Sequence, residues 1–154
     1  MNAIDVYVEA DFACGYNTRR STSSYIVLFN NCCVSWLSKK QSSVAKSTTE
    51  AEFVAMSYGT HHIRWLLKGL DDLRLHVPLA MHADNTGANF LAVNSQINVR
   101  TKHIAVDFFI MREALEDNLF VLLKVESVNN LADICTKILA KPADQRMLTL
   151  LGCR

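Results

Sequence analysis

The chain has 154 residues, enough for one domain with a proper core, and it is 50% hydrophobic and 20% charged, a globular composition. A formal net charge of +1 excludes whole-molecule attraction to nucleic acid, so any such surface must be local. No apolar run approaches the roughly 20 residues that cross a bilayer and no signal-peptide pattern opens the chain, so no membrane partner is expected.

Ile4, Val6, Val8 and Ala10 alternate with Asp5, Tyr7, Glu9 and Asp11, which is strand periodicity ending in two acids on one face. After a turn through Gly15 and Asn17, a second strand is expected over Ser23 to Phe29. Asn30-Asn31 gives a tight turn and Cys32 to Leu37 a third strand, closing an antiparallel meander. Lys39 to Ser47 reads as a polar, basic loop. A long helix follows from about Thr49 to Leu70, with Thr49 and Glu52 in a capping-box pattern. Glu52 shares a helical stripe with Met56, Gly59, Ile63, Leu66 and Leu70, so its carboxylate points inward and needs a partner. That partner is either the helix's own N-terminal amides or a metal held jointly with other acids.

Leu79 to Ala83 is a short strand, and Asp84-Asn85-Thr86 opens a helix to about Val93. Ile104 to Glu116 has helical spacing, Leu119 to Val125 is an apolar strand, and Asn129 or Asn130 caps a helix through Lys137. A short helix over Gln145 to Leu151 closes the chain. The order predicts an α/β fold with a mixed sheet and helices on both faces. It reads as a single domain over residues 1–154, with 1–3 and 140–154 peripheral. Five cysteines without C-x-x-C spacing, and five histidines without ligand spacing, argue against a disulfide framework and a zinc site and fit an intracellular location.

Strand one and the strand ending before Asp84 can lie parallel, with the long helix as crossover, and ligands of such sheets sit beyond the carboxyl strand ends. Glu9 and Asp84 occupy such ends, Glu52 lies on the helix between them, and Asp133 starts a later helix. Each alone is explained as a solvated strand end, a cap or a dipole partner. Four acids directed to one crevice suit two-metal phosphodiester cleavage, with ions about 4 Å apart. Magnesium favours such hard oxygen donors.

The strings VYVEADFACG, NTRRSTSSY, VSWLSKKQ, STTEAEF, ADN, RTKHI and NLADICTK resemble, in order and spacing, the ribonuclease H domain at the carboxyl end of copia-type retrotransposon polyproteins. The resemblance covers nearly the whole chain. It implies a ribonuclease H-like fold with a five-stranded mixed sheet, two Mg²⁺ ions (Mn²⁺ as substitute), and cleavage of the RNA strand of RNA–DNA hybrids. It also implies a reverse transcriptase domain as neighbour, no small-molecule cofactor, and a cytoplasmic virus-like particle or the nucleus as location.

By position, Glu52, Asp84 and Asp133 match the family's catalytic acids, whereas Glu9 stands where the family has aspartate. The added methylene pushes the carboxylate out by about 1.5 Å, and roughly 1 Å of misplacement costs 100-fold in rate. Asp11, on the same strand face, offers a further metal contact. Ser24 replaces a usual glycine, Ala105 an aspartate, Asn130 a glutamine and Ile138 a proline. Arg19, Arg20, Lys39, Lys40, Lys46, Asn85, Arg100, Lys102 and His103 are the candidate substrate contacts, directed at phosphates rather than bases. Trp36 and Trp65 read as core residues. Two rivals stay open: a non-catalytic binding module on the same fold, and a nuclease acting on other nucleic acids.

Overall fold

The computed structural model describes residues 3–94 and 105–152. Strands β1 (Ile4–Asp11), β2 (Thr22–Phe29) and β3 (Cys32–Lys40) form the expected antiparallel meander. Asn30 and Asn31 turn β2 into β3 with φ of 50° and 63°. Those are left-handed conformations that Asn tolerates and whose twist suits a two-residue hairpin. Strand β3 runs past its expected end, because Ser38, Lys39 and Lys40 keep pairing with Ser24, Ser23 and Thr22. An edge strand needs backbone partners on one side, not apolar side chains, so the hydrophobic pattern ended too early.

Helix α1 (Thr48–Asp72) then crosses to β4 (Leu79–Ala83), which lies parallel to β1. Helices α2 (Thr86–Val93) and α3 (Ala105–Glu116) lead to β5 (Val121–Lys124), parallel to β4. The five-stranded sheet has the order β3-β2-β1-β4-β5, with β1 at its centre. One face carries Ile4, Val6 and Val8 against Phe53, Met56 and Ile63 of α1 and Phe108 and Met111 of α3. Helix and sheet lie close at Gly59, where an added Cβ would lie 2.8 Å from a Val8 methyl carbon and 3.2 Å from Met81 Cε. The opposite face packs Ile26 and Leu28 against Leu131, Met147 and Leu151, the last two from or just beyond α4 (Lys141–Leu150). Helical elements therefore cover both faces, as the alternation predicts.

Residues around Asp133 depart from the expected α-helix and form short 3-10 segments, Ser127–Asn129 and Leu131–Cys135. The carbonyls of Ala132 and Cys135, which an α-helix would spend on its own amides, instead accept the hydroxyls of Ser24 at 2.9 Å and Ser38 at 2.6 Å. The two tryptophans also depart from expectation. Trp36 lies on the edge strand at 67% exposure, and Trp65 lies on the outer side of α1 at 69%, against His62. Cys14, Cys32 and Cys135 are free thiols. Among the described residues no helix is long and apolar enough to cross a membrane.

Candidate metal centre

The first turn of α1 decides what Glu52 is free to do. Ser47 is the N-cap: its Oγ accepts the Glu50 N–H at 3.2 Å, and the Glu50 carboxylate accepts the Lys46 N–H at 3.1 Å. The capping frame thus sits two residues before the expected Thr49 and Glu52, and Glu50 does the work assigned to Glu52. Glu52 is left to reach β1, where its Oε2 accepts the Ala10 N–H at 3.1 Å. Gln41 holds that turn in place, since its Nε2 donates to Ser23 Oγ at 2.8 Å and to the Ala51 carbonyl at 2.9 Å.

Asp84 is spared in the same way. Asn85, not Asp84, caps α2, accepting the Ala88 N–H at 2.9 Å. Glu9, on the neighbouring central strand, is only 2% exposed. The outcome is a trio at the carboxyl ends of β1 and β4: Glu9, Glu52 and Asp84 each present an oxygen within 4.8 Å of the others. Asp11 shares Glu9's strand face but lies outside this trio.

Asp133 is buried beside the trio rather than in it. A lysine joins them. Lys137 Nζ donates to Glu9 Oε1 at 2.5 Å and to Asp133 Oδ1 at 2.8 Å. The other Glu9 oxygen accepts Asn130 Nδ2 at 3.2 Å, and the same amide donates to the Val8 carbonyl at 2.9 Å. Asn130 Oδ1 accepts the Ala132 N–H at 3.3 Å, so this residue ties Glu9 to the turn carrying Asp133. Glu9, Ser24 and Ser38 are register partners across three strands. Residues 130–137 lie across that row, fixed by bonds to all three.

Crowding these carboxylates away from water raises their proton affinity. Burial pushes Glu9 up to about 8; the Lys137 hydrogen bond opposes this, while Asp84 and Asp133 add to it. Burial likewise pushes Glu52 up to about 9, helped by Glu9 and Asp84 and opposed by Lys137 and the Ala10 amide. Burial alone would lower Lys137, but its bonds to Asp133 and Glu9 carry it well above the usual lysine range. Protonation or a cation relieves such repulsion. The trio is all-oxygen, closely spaced and negatively charged when ionised, so these residues fit a hard divalent cation.

The candidate substrate contacts are dispersed. Arg19 and Arg20 are exposed in the β1–β2 turn, and Lys40 lies beside that turn, its Cε 3.2 Å from a Cβ placed on Gly15. Lys39 sits over the Tyr58 ring at 5.6 Å, Lys46 is exposed before α1, and Asn85 is engaged as a cap. Arg100, Lys102 and His103 lie outside the described residues. Two residues of the centre escaped sequence reasoning, Lys137 and the amide function of Asn130. The i,i+4 spacing of Asp133 and Lys137 was the available signal for the first. Asn130 was legible only as a cap and as a replacement of the family's glutamine.

No family model matches the chain. It is 33% identical, over 152 residues and 97% of its length, to the retrovirus-related Pol polyprotein from transposon RE1 of Arabidopsis thaliana. It is 35% identical, over 147 residues and 95% of its length, to the corresponding polyprotein from transposon TNT 1-94 of Nicotiana tabacum. The chain spans about a tenth of these relatives, 10% and 11% respectively. Among solved structures, LC11-RNase H1, isolated from compost by a metagenomic approach, superposes with a TM-score of 0.67 at 14% identity, covering 96% of this chain and 99% of that one. A structure of LC11-RNase H1 in complex with an RNA/DNA hybrid gives a TM-score of 0.64 at 10% identity, covering 86% of this chain and 93% of that one.

Proposed function

The chain is a relative of the retrovirus-related Pol polyproteins of transposons and has a ribonuclease H fold, and on that premise we propose that it is a metal-dependent endonuclease cleaving the RNA strand of RNA–DNA hybrids. The convergence of Glu9, Glu52 and Asp84 within 4.8 Å at the carboxyl strand ends carries the reading. The hybrid in the LC11-RNase H1 complex supports that substrate class for this chain, and the Pol relatives support a reverse transcriptase domain as its working neighbour. The copia type of retroelement is the best match to the sequence motifs, and Mg²⁺ is the natural ion for an all-oxygen site, with Mn²⁺ as substitute.

In this reading Glu9, Glu52 and Asp84 hold the cation, and Asp133 adds charge beside it. When bound, the metal would polarise the attacking water and stabilise the departing oxygen. The chain's own groups do the positioning. The Ala10 amide fixes one oxygen of Glu52, Asn130 fixes one oxygen of Glu9, and the sheet keeps the ends of β1 and β4 at constant separation. Because these groups are already oriented, little reorganisation is needed as charge develops on the phosphate. Arg19, Arg20, Lys40 and Lys46 would meet the phosphate backbones.

A second reading, a ribonuclease H fold kept as a binding module without cleavage, is favoured by one observation: Lys137 already compensates Glu9 and Asp133. Cleavage of a labelled RNA–DNA hybrid with Mg²⁺ or Mn²⁺, by wild type, Glu9→Asp and Asp84→Asn, separates the two. Activity in wild type that Asp84→Asn abolishes supports the nuclease. Activity recovered only in Glu9→Asp marks a lapsed one, and inactivity of all three, also when joined to the polymerase domain, supports the module.

A further inference from the structure

We infer that the Lys137 ammonium replaces one of two divalent cations, so that this chain holds a single divalent ion, between Glu9, Glu52 and Asp84. This rests on the nuclease reading but changes the metal count it implies. The four acids divide into two groups that share one member. Glu9, Glu52 and Asp84 bring oxygens within 4.8 Å of one another, and Glu9 and Asp133 grip Lys137 Nζ between them. Glu9 is thus the carboxylate common to both cation positions, the metal on one side and the ammonium on the other.

The ammonium's place is built rather than casual. Lys137 follows Asp133 by one turn, and its backbone N–H donates to the Asp133 carbonyl at 3.0 Å. The preceding residues are fastened to the sheet by Ser24 and Ser38. The side chain therefore starts from a fixed point and spans to β1. A second divalent ion at the Glu9–Asp133 pair would need the oxygens that Lys137 occupies, and its double charge would lie against the ammonium. One-methylene-longer Glu9, in place of aspartate, extends its carboxylate toward that ammonium.

The count is directly measurable. Titration of the metal-free chain with Mn²⁺, followed by calorimetry and by the electron paramagnetic resonance of free Mn²⁺, is expected to give one ion per wild-type chain. Lys137→Met, which keeps the apolar stem, should give two, and Lys137→Arg, which keeps the charge, one. If Lys137→Met does not fold by circular dichroism, Glu9→Asp, whose carboxylate falls short of the ammonium, carries the same expectation of two. Two ions in wild type, or one in the folded Lys137→Met chain, overturns the inference and leaves the nuclease reading standing. No Mn²⁺ bound by either chain overturns both.

Discussion

The Glu52 carboxylate accepts the backbone N–H of Ala10 at 3.1 Å, a bond that joins α1 to the end of β1 across 42 residues of sequence. It shows that this side chain belongs to the sheet end and not to the cap of its own helix. The bond needs only an oxygen acceptor, whereas holding a cation needs the charge.

Glu52→Gln separates these two duties. The amide oxygen keeps the Ala10 bond while the buried charge is removed from beside Glu9 and Asp84. Hybrid cleavage should fall about 10² to 10³-fold, the usual loss when one oriented electrostatic group is removed. The metal-free melting temperature should change little at neutral pH, where Glu52 already holds a proton, and should rise above about pH 9, where wild type would carry a poorly compensated buried charge. A variant as active as wild type would remove Glu52 from the metal set.

Metal-free stability should fall with rising pH. Glu9 and Glu52 titrate from an ordinary 4.5 up to about 8 and about 9 in the folded chain. Between those limits the folded state binds more protons than the unfolded one, so the free energy of unfolding declines as pH increases. The contribution is complete below about pH 4.5 and gone above about pH 9. Melting curves in a chelator from pH 5 to 9.5 should show this decline, and saturating Mn²⁺ should shrink it by taking the place of the protons. A melting temperature that climbs over the same range would contradict the assignment.

Asn130→Leu should be costly for its size. It strips donors from Glu9 and the Val8 carbonyl and removes the acceptor for the Ala132 N–H. Leaving buried groups unpaired costs about 1–3 kcal/mol each. For a chain of this length that corresponds to roughly 2–4 °C of melting temperature per kcal/mol. Asn130→Gln, the residue the resembling family carries, should restore part of the loss. Equal melting temperatures for wild type and Asn130→Leu would show that the amide holds nothing in place.

Gly59→Ala tests the packing beneath the site. The new methyl would stand 2.8 Å from Val8 Cγ1 and 3.2 Å from Met81 Cε, so α1 must lift from β1 and β4. Overpacking of this kind costs about 1–3 kcal/mol, although Ala favours helix over Gly by nearly 1 kcal/mol. A net loss of stability together with weakened Mn²⁺ binding is expected. A stabilised protein would mean that α1 has room to move.

The elements set by local periodicity were readable from the sequence. The alternation of Ile4 to Asp11, the Asn30-Asn31 turn and the stripe from Met56 to Ile63 each state their geometry within a few residues. What escaped was set by partners distant in the chain. Nothing near Asp133 announces that Ser24 and Ser38 will take the carbonyls of an incipient helix and leave it 3-10. Ser24, visible only as a departure from the family's glycine, proves to be one of those fasteners. The capping frame of α1 slipped by two residues because S-T-T-E-A-E offers two overlapping hydroxyl–glutamate pairs. Only the hydrogen bond from the distant Ala10 N–H to the second glutamate decides between them. Trp36 looked like core because hydrophobicity does not reveal which strand ends up at an edge.

Three of the acids are delivered by the meander, the crossover helix and the fourth strand, whereas the fourth acid and its lysine arrive on a late segment that crosses the sheet. That strap is sewn down by two serine hydroxyls and one amide, each replaceable by a single base change. The electrical character of the pocket can therefore drift while its framework stays put, and a lineage could retune how it handles ions by editing stitches rather than walls.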